Sequence, residues 1–217
     1  LMHAEHLEAV WGVGPHTISV PRLCPADDID VNDFDNSIND DIFAKIVACI
    51  RIAVPYTGMI ISTRESRKTR ERVLHLGISQ ISGGSRTSVG GYAEEEPADE
   101  DSSQFDLSDR RTLDEIVKWL MDMDYIPSFC TACYRAGRTG DRFMSLCKSG
   151  QIQNCCHPNA LMTLKEYLED YAAPATKEVG EKLILKEIQN IPNEKVKERV
   201  LQYLDEMENG GKRDFRF

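Results

Sequence analysis

The spacing of apolar residues changes several times along this chain, and each change marks an element. Leu7 and Val10, set among polar neighbours, read as the tail of an amphipathic helix over 1–10 that Trp11-Gly12-Val13-Gly14 ends. Thr17-Ile18-Ser19-Val20 reads as a strand closed by Pro21-Arg22, and residues 27–39 as an acidic, Asn-rich loop. A helix over 41–54 places Ile42, Ile46, Cys49, Ile50 and Ala53 on one face. Gly58-Met59-Ile60-Ile61-Ser62 is a continuous apolar run, the pattern of a strand buried on both faces. A basic helix over 66–76 stops at Gly77, and Ile78-Ser79-Gln80-Ile81-Ser82 is a further strand.

Helix and strand therefore alternate through the first ninety residues, which predicts parallel β/α units. Another helix is predicted over 109–121, with Leu113, Ile116, Val117 and Leu120 on one face. The run 94–101 reads as a solvated acidic loop. Three β/α units alone leave bare sheet edges. The fold class expected is thus α/β, the C-terminal part of a β/α (TIM-type) barrel over residues 1–122. Reacting groups in such a barrel lie beyond the C-terminal ends of the strands. Those ends carry Arg22, Ser62 with Arg64, and Ser85 with Arg86 in the turn Ser82-Gly83-Gly84-Ser85-Arg86-Thr87. Backbone N–H groups and a guanidinium there suit a carboxylate or a phosphate.

Residues 123–217 change character to a small all-helical module. Helices are expected over 139–148, from Cys156 with Pro158 in its first turn, from Pro174 to Ile188, and from Pro192-Asn193 to Gly210-Gly211. Leu161, Leu164, Leu168 and Tyr171 form the expected buried stripe of the second, and Val196, Val200, Tyr203, Leu204 and Met207 that of the last.

Charge narrows the function. The 217 residues carry a net charge of −10, which argues against nucleic acid or an anionic membrane as partner. No apolar run reaches the roughly 18 residues that span a bilayer. Seven cysteines with no secretory leader read as metal chemistry in a reducing compartment, the cytoplasm or an anaerobic organelle stroma or matrix. The chain opens inside a helix, as a piece of a longer protein does.

The cysteines supply the chemistry. Cys130, Cys133 and Cys156 have the spacing C-x2-C-x22-C, suited to zinc or an iron–sulfur cluster. Structural zinc is closed by four ligands, and a second C-x2-C is missing. A cubane held by three cysteines leaves one iron open for another ligand. Arg135, Arg138 and Arg142 beside the pair offset thiolate charge. Cys147, on the apolar face of its helix with Phe143 and Leu146, reads as core with the option of a fourth ligand.

These residues resemble a known family. Phe129-Cys130-Thr131-Ala132-Cys133-Tyr134-Arg135, then Gly137-Arg138-Thr139-Gly140-Asp141-Arg142-Phe143-Met144, with Cys156-His157-Pro158-Asn159-Ala160, is similar to the HydG family. These are the radical S-adenosylmethionine tyrosine lyases of FeFe-hydrogenase maturation. Met2-His3-Ala4-Glu5-His6-Leu7-Glu8, the run from Gly12 to Arg22 and Ser62-Thr63-Arg64-Glu65 extend the likeness over nearly the whole chain. The resemblance implies a β/α barrel with an added C-terminal domain. It implies cleavage of tyrosine to p-cresol and dehydroglycine near a first 4Fe-4S cluster. It further implies carbon monoxide and cyanide formation at an auxiliary 4Fe-4S cluster with an additional iron, in concert with hydrogenase maturation proteins.

By the same resemblance Cys130, Cys133 and Cys156 hold the auxiliary cluster, and His16 is a ligand to the additional iron. The position of His16 before its strand, at the opposite mouth from the usual active-site face, agrees with that role. Arg22, Ser62, Arg64, Ser85 and Arg86 are expected to hold carboxylates of tyrosine or S-adenosylmethionine. The family's C-x3-C-x2-C motif is missing, since Cys24 and Cys49 stand alone. The chain therefore corresponds to the C-terminal portion, and S-adenosylmethionine and the first cluster are expected to rest mainly on the absent N-terminal part of the barrel. Cys155, beside Cys156, is a competing ligand. Two other readings stay open: a ThiH-like tyrosine lyase of thiazole synthesis, and a non-catalytic zinc or iron–sulfur binding module.

Overall fold

The structure, a computed structural model, describes residues 1–26, 30–35, 37–88, 90–93 and 106–217. The acidic run 94–101 and part of the expected loop 27–39 lie outside the described residues. The chain forms two compact units, Leu1–Thr112 and Leu113–Phe217.

The first unit is built on a parallel sheet of β1 (Thr17–Ser19), β2 (Gly58–Ile61) and β3 (Gln80–Ile81), in the order β1-β2-β3. Thr17 pairs with Gly58 and Ser19 with Ile60, while Ile60 pairs with Gln80 and Ile61 with Ile81. Hydrogen bonds from Ser79 N to Met59 O and from Ser82 N to Ile61 O carry the pairing of β3 past its short regular core. The strand β2 alternates more than its composition suggests: Met59 and Ile61 are shut from solvent, whereas Ile60 is half-buried.

Three helices flank these strands: α1 (Met2–Trp11), α2 (Asp40–Ala53) and α3 (Arg67–Leu74). Asn39 opens α2 by accepting from Ile42 N at 2.9 Å, with Asp40 and Asp41 in the first turn to favour the helix dipole. Ser66 caps α3 in the same way through Thr69 N. The core face of α2 is not the expected one. Phe43, Ala44 and Val47 are buried, while Ile42, Cys49 and Ala53 are exposed and Ile46 and Ile50 half-buried.

The second unit comprises α4 (Leu113–Asp122), α5 (Ala132–Arg135), α6 (Gly140–Ser149), α7 (Gln153–Asp170), α8 (Pro174–Ile188) and α9 (Glu194–Glu208). The helix α4 starts four residues later than expected and packs on α8. Val117 and Met121 of α4 share one core with Leu161, Leu164 and Leu168 of α7, Leu183 and Ile184 of α8, and Val200 and Leu204 of α9. That shared core moves the boundary from 122/123 to 112/113. Tyr171 is exposed, and Tyr167 takes its expected place in the stripe. The start of α7 is also earlier, at Gln153, which leaves Pro158 inside the helix and Cys156 in its first turn. Among the described residues no helix is long and apolar enough to cross a membrane.

Candidate functional site

Each unit carries one candidate site. In the first, an open cleft of about 680 Å³ lies beyond the C-terminal ends of the three strands. Ser19 and Pro21 follow β1, Ser62, Thr63 and Arg64 follow β2, and Ser82, Ser85 and Arg86 follow β3. Four of the five residues expected at this end, Ser62, Arg64, Ser85 and Arg86, are therefore brought together. The turn after β3 is fixed by Arg86 N, which donates to the Tyr92 hydroxyl at 3.1 Å. The turn after β2 is fixed by Arg64 N, which donates to Ser62 Oγ at 3.3 Å.

Arg22 departs from the expectation. Its guanidinium donates to both carboxylate oxygens of Glu65, lies 2.8 Å from Asp40 and rests over the Phe43 ring. The hydrogen bond to Glu65 raises its pKa further above the ordinary value, against the opposing effect of burial. A guanidinium engaged this fully braces the loop after β1 and does not line the cleft. Arg70 was legible only as part of a basic helix. It is fully buried, paired with Asp109 and with the backbone oxygen of Ser82, and so supports the cleft wall from behind.

His16 sits at the other end of this sheet. It is exposed, directly before β1, and its backbone oxygen accepts from Gly58 N at 2.9 Å. Cys24 lies near Arg22 and Glu65, and Cys49 is exposed on α2.

In the second unit the motif Cys130-Thr131-Ala132-Cys133 turns into the short helix α5. Ala132 N donates to Cys130 Sγ at 3.4 Å, and Arg138 N closes the loop onto Cys133 O at 2.8 Å. Phe129 N donates to Thr163 Oγ1 at 3.2 Å, which ties the loop to α7. Cys156 lies in the first turn of α7, where the helix dipole favours negative charge. Its thiol is pushed up to about 11, by burial first and then by the neighbouring sulfurs of Cys133, Cys130, Cys155 and Cys147. As a residue Cys156 is exposed. The Cys147 thiol is raised by burial and by Cys133.

Cys156 thus has four other cysteines in its neighbourhood, yet no three of the described His, Cys, Asp and Glu side chains form a group that could hold a single metal ion. The donor set, all sulfur with nearby guanidinium, suits zinc and an iron–sulfur cluster alike. Arg138 faces Cys133, whose hydrogen bond raises its pKa. The Nε of Arg138 is buried with no hydrogen-bond partner.

The Biotin and Thiamin Synthesis associated domain matches residues 19–126. The chain is 34% identical over 114 residues to 2-iminoacetate synthase of Escherichia coli, covering 51% of this chain and 29% of that one. It is 30% identical over 108 residues to 2-iminoacetate synthase of Salmonella typhimurium, covering 48% and 28%. An α/β chain of this class, extended by a helical unit with gathered cysteines, has solved counterparts. The crystal structure of HydG, a maturase of the [FeFe]-hydrogenase, superposes with a TM-score of 0.92 at 55% identity, covering 99% of this chain and 46% of that one. The FeFe-hydrogenase maturase HydG from Carboxydothermus hydrogenoformans superposes with a TM-score of 0.71 at 40% identity, covering 93% and 42%. The chain is thus a relative of HydG over almost its whole length, and it spans less than half of either HydG chain.

Proposed function

We propose that this chain is the C-terminal portion of a radical S-adenosylmethionine lyase that cleaves tyrosine to p-cresol and dehydroglycine and delivers carbon monoxide and cyanide for the FeFe-hydrogenase active site. In this reading the first unit completes a β/α barrel and the second is its auxiliary-cluster domain. The observation that carries it is the likeness to HydG running through the cysteine-bearing unit as well as the strands. The reading predicts a reducing, anaerobic compartment and S-adenosylmethionine held mainly by the rest of the barrel.

Cys130, Cys133 and Cys156 hold the auxiliary 4Fe-4S cluster, with Cys155 and Cys147 as neighbouring sulfurs. When bound, the cluster and its additional iron supply the centre at which the diatomic ligands are collected. His16 offers an imidazole to that iron. At the other end of the strands, Arg64 and Arg86 clamp carboxylate oxygens of tyrosine or S-adenosylmethionine, and Ser62 and Ser85 donate hydrogen bonds. Arg22 acts at one remove by holding Glu65.

A ThiH-like lyase shares the first unit's strands but gives no use to the gathered sulfurs. A structural zinc module is disfavoured because a second C-x2-C to close four ligands is missing. Metal analysis after anaerobic purification separates the three. Iron with inorganic sulfide at the second unit, lost in Cys130→Ser, is the expected result. Stoichiometric zinc with neither iron nor sulfide there overturns the reading.

A further inference from the structure

The two cysteine-bearing segments are held by a third segment that no motif marks. Residues 213–217 run across both. The buried Asn159, three residues after Cys156, accepts from Phe217 N at 2.9 Å and donates to Phe217 O at 3.3 Å. Arg138 Nη2 donates to the same carbonyl at 2.9 Å, while its guanidinium also faces Cys133. Arg135, two residues after Cys133, makes a bidentate pair with Asp214, whose N–H donates to Glu166 of α7. Phe215 stacks on Tyr203 of α9 with ring centroids 4.0 Å apart, and Arg213 donates to Asp170 at 2.9 Å.

We propose that residues 213–217 and Arg138 form a brace that joins the Cys130–Cys133 loop to the start of α7 before metal arrives, with Arg138 as the positioning residue that touches both strap and sulfur. The physical reason is ordering entropy. Fixing a residue costs about 1–2 kcal/mol, and metal binding must otherwise order two segments more than twenty residues apart in sequence. One backbone carbonyl accepting from both segments removes part of that cost in advance. Arg138 then adds a fixed cation beside the sulfurs, which favours the more negative, reduced state of a bound cluster.

The second effect rests on the functional reading above, and the first does not. The test uses the intact protein. In the metal-free state, hydrogen exchange of peptides over 128–139 and 153–160, and alkylation rates of Cys130, Cys133 and Cys156, are measured for wild type, Arg138→Gln, Arg138→Lys and Phe215→Ala. Both segments should exchange and alkylate several-fold faster in Arg138→Gln and Phe215→Ala, with α8 unchanged. After reconstitution, the reduction potential of the auxiliary cluster should fall in Arg138→Gln and return toward wild type in Arg138→Lys. Unchanged exchange and alkylation in both strap variants overturns the brace. Phe215→Ala leaves the cysteine loop intact, so it decides the matter should Arg138→Gln fail to fold. Wild type that takes up no cluster at these cysteines overturns the functional reading, while the exchange data still decide the brace.

Discussion

Arg70 and Asp109 form an ion pair in which both side chains are shut from solvent, 0% and 2% exposed. The pair ties three cleft walls together. Arg70 also donates to Ser82 O at the end of β3, and Ser108 N and Asp109 N donate to Thr63 O, at 3.1 and 3.0 Å, just past β2. Arg111 completes the set through Asp109 Oδ2 at 2.6 Å.

Breaking this pair should be costly, because the remaining guanidinium is left buried. Asp109→Ala is expected to destabilise the first unit by about 3–5 kcal/mol, read as a lower denaturant midpoint. The pH dependence follows from the carboxylate. Burial pushes the Asp109 pKa up, but Arg111 and Arg70 outweigh it and hold it below the ordinary value. Its stabilisation is thus present above the unfolded-state value of about 3.9 and is lost as pH falls through the lower folded value. An acid titration followed by circular dichroism should show a shallower loss of stability below pH ~4 in Asp109→Asn than in wild type.

In the helical unit the tightest approach is at Gly180. A Cβ there would land on both methyl groups of Leu168, which is 1% exposed. Gly180→Ala improves helix propensity by about 1 kcal/mol, yet overpacking costs about 1–3 kcal/mol. With Leu168 unable to retreat, the expected net effect is a lower melting temperature. A stabilised Gly180→Ala protein would show that α7 and α8 can part.

Much of this arrangement was legible in the sequence, and the failures have physical causes. The β/α alternation and the placing of Ser62, Arg64, Ser85 and Arg86 at one cleft follow from local pattern and spacing. The face of α2 did not, because the helix is apolar on two sides and periodicity cannot choose between Ile42-Ile46-Cys49 and Phe43-Val47. Arg22 and Arg70 were read as a ligand and as part of a basic helix. Their partners Glu65 and Asp109 lie 43 and 39 residues away, beyond any local signal. The strap was missed for the same reason: Phe217 meets Asn159 across 58 residues. Pro158 misplaced the start of α7, because Ile152 O accepts both Cys155 N and Cys156 N and opens the helix before the proline.

The cleft predicts a binding phenotype separate from cluster assembly. In the intact protein, Arg64→Ala or Arg86→Ala should weaken binding of tyrosine or S-adenosylmethionine about 10- to 100-fold, the worth of one charge-assisted hydrogen bond at 1.5–3 kcal/mol. Iron and sulfide content should stay at the wild-type level. Ser62→Ala and Ser85→Ala should cost less. If none of these four changes alters tyrosine turnover, the cleft is not the substrate site.

His16 separates the two ends of the strands. It precedes β1, whereas Ser62, Arg64, Ser85 and Arg86 line the cleft beyond the opposite ends. His16→Ala in the intact protein should therefore spare tyrosine cleavage, and p-cresol should form at the wild-type rate. On the proposed reading the additional iron should be lost, because loss of one ligand removes a large part of a metal ion's binding free energy. Formation of the iron–carbonyl–cyanide product should fail with it. On the same reading Cys130→Ser and Cys156→Ser should share this phenotype, by removing the cluster proposed to carry that iron. p-Cresol, carbon monoxide and bound iron are measured side by side in each variant. A His16→Ala protein that makes the full iron product at normal yield removes the residue from the site. Loss of p-cresol as well would put His16 at the tyrosine end, against its place in the sheet.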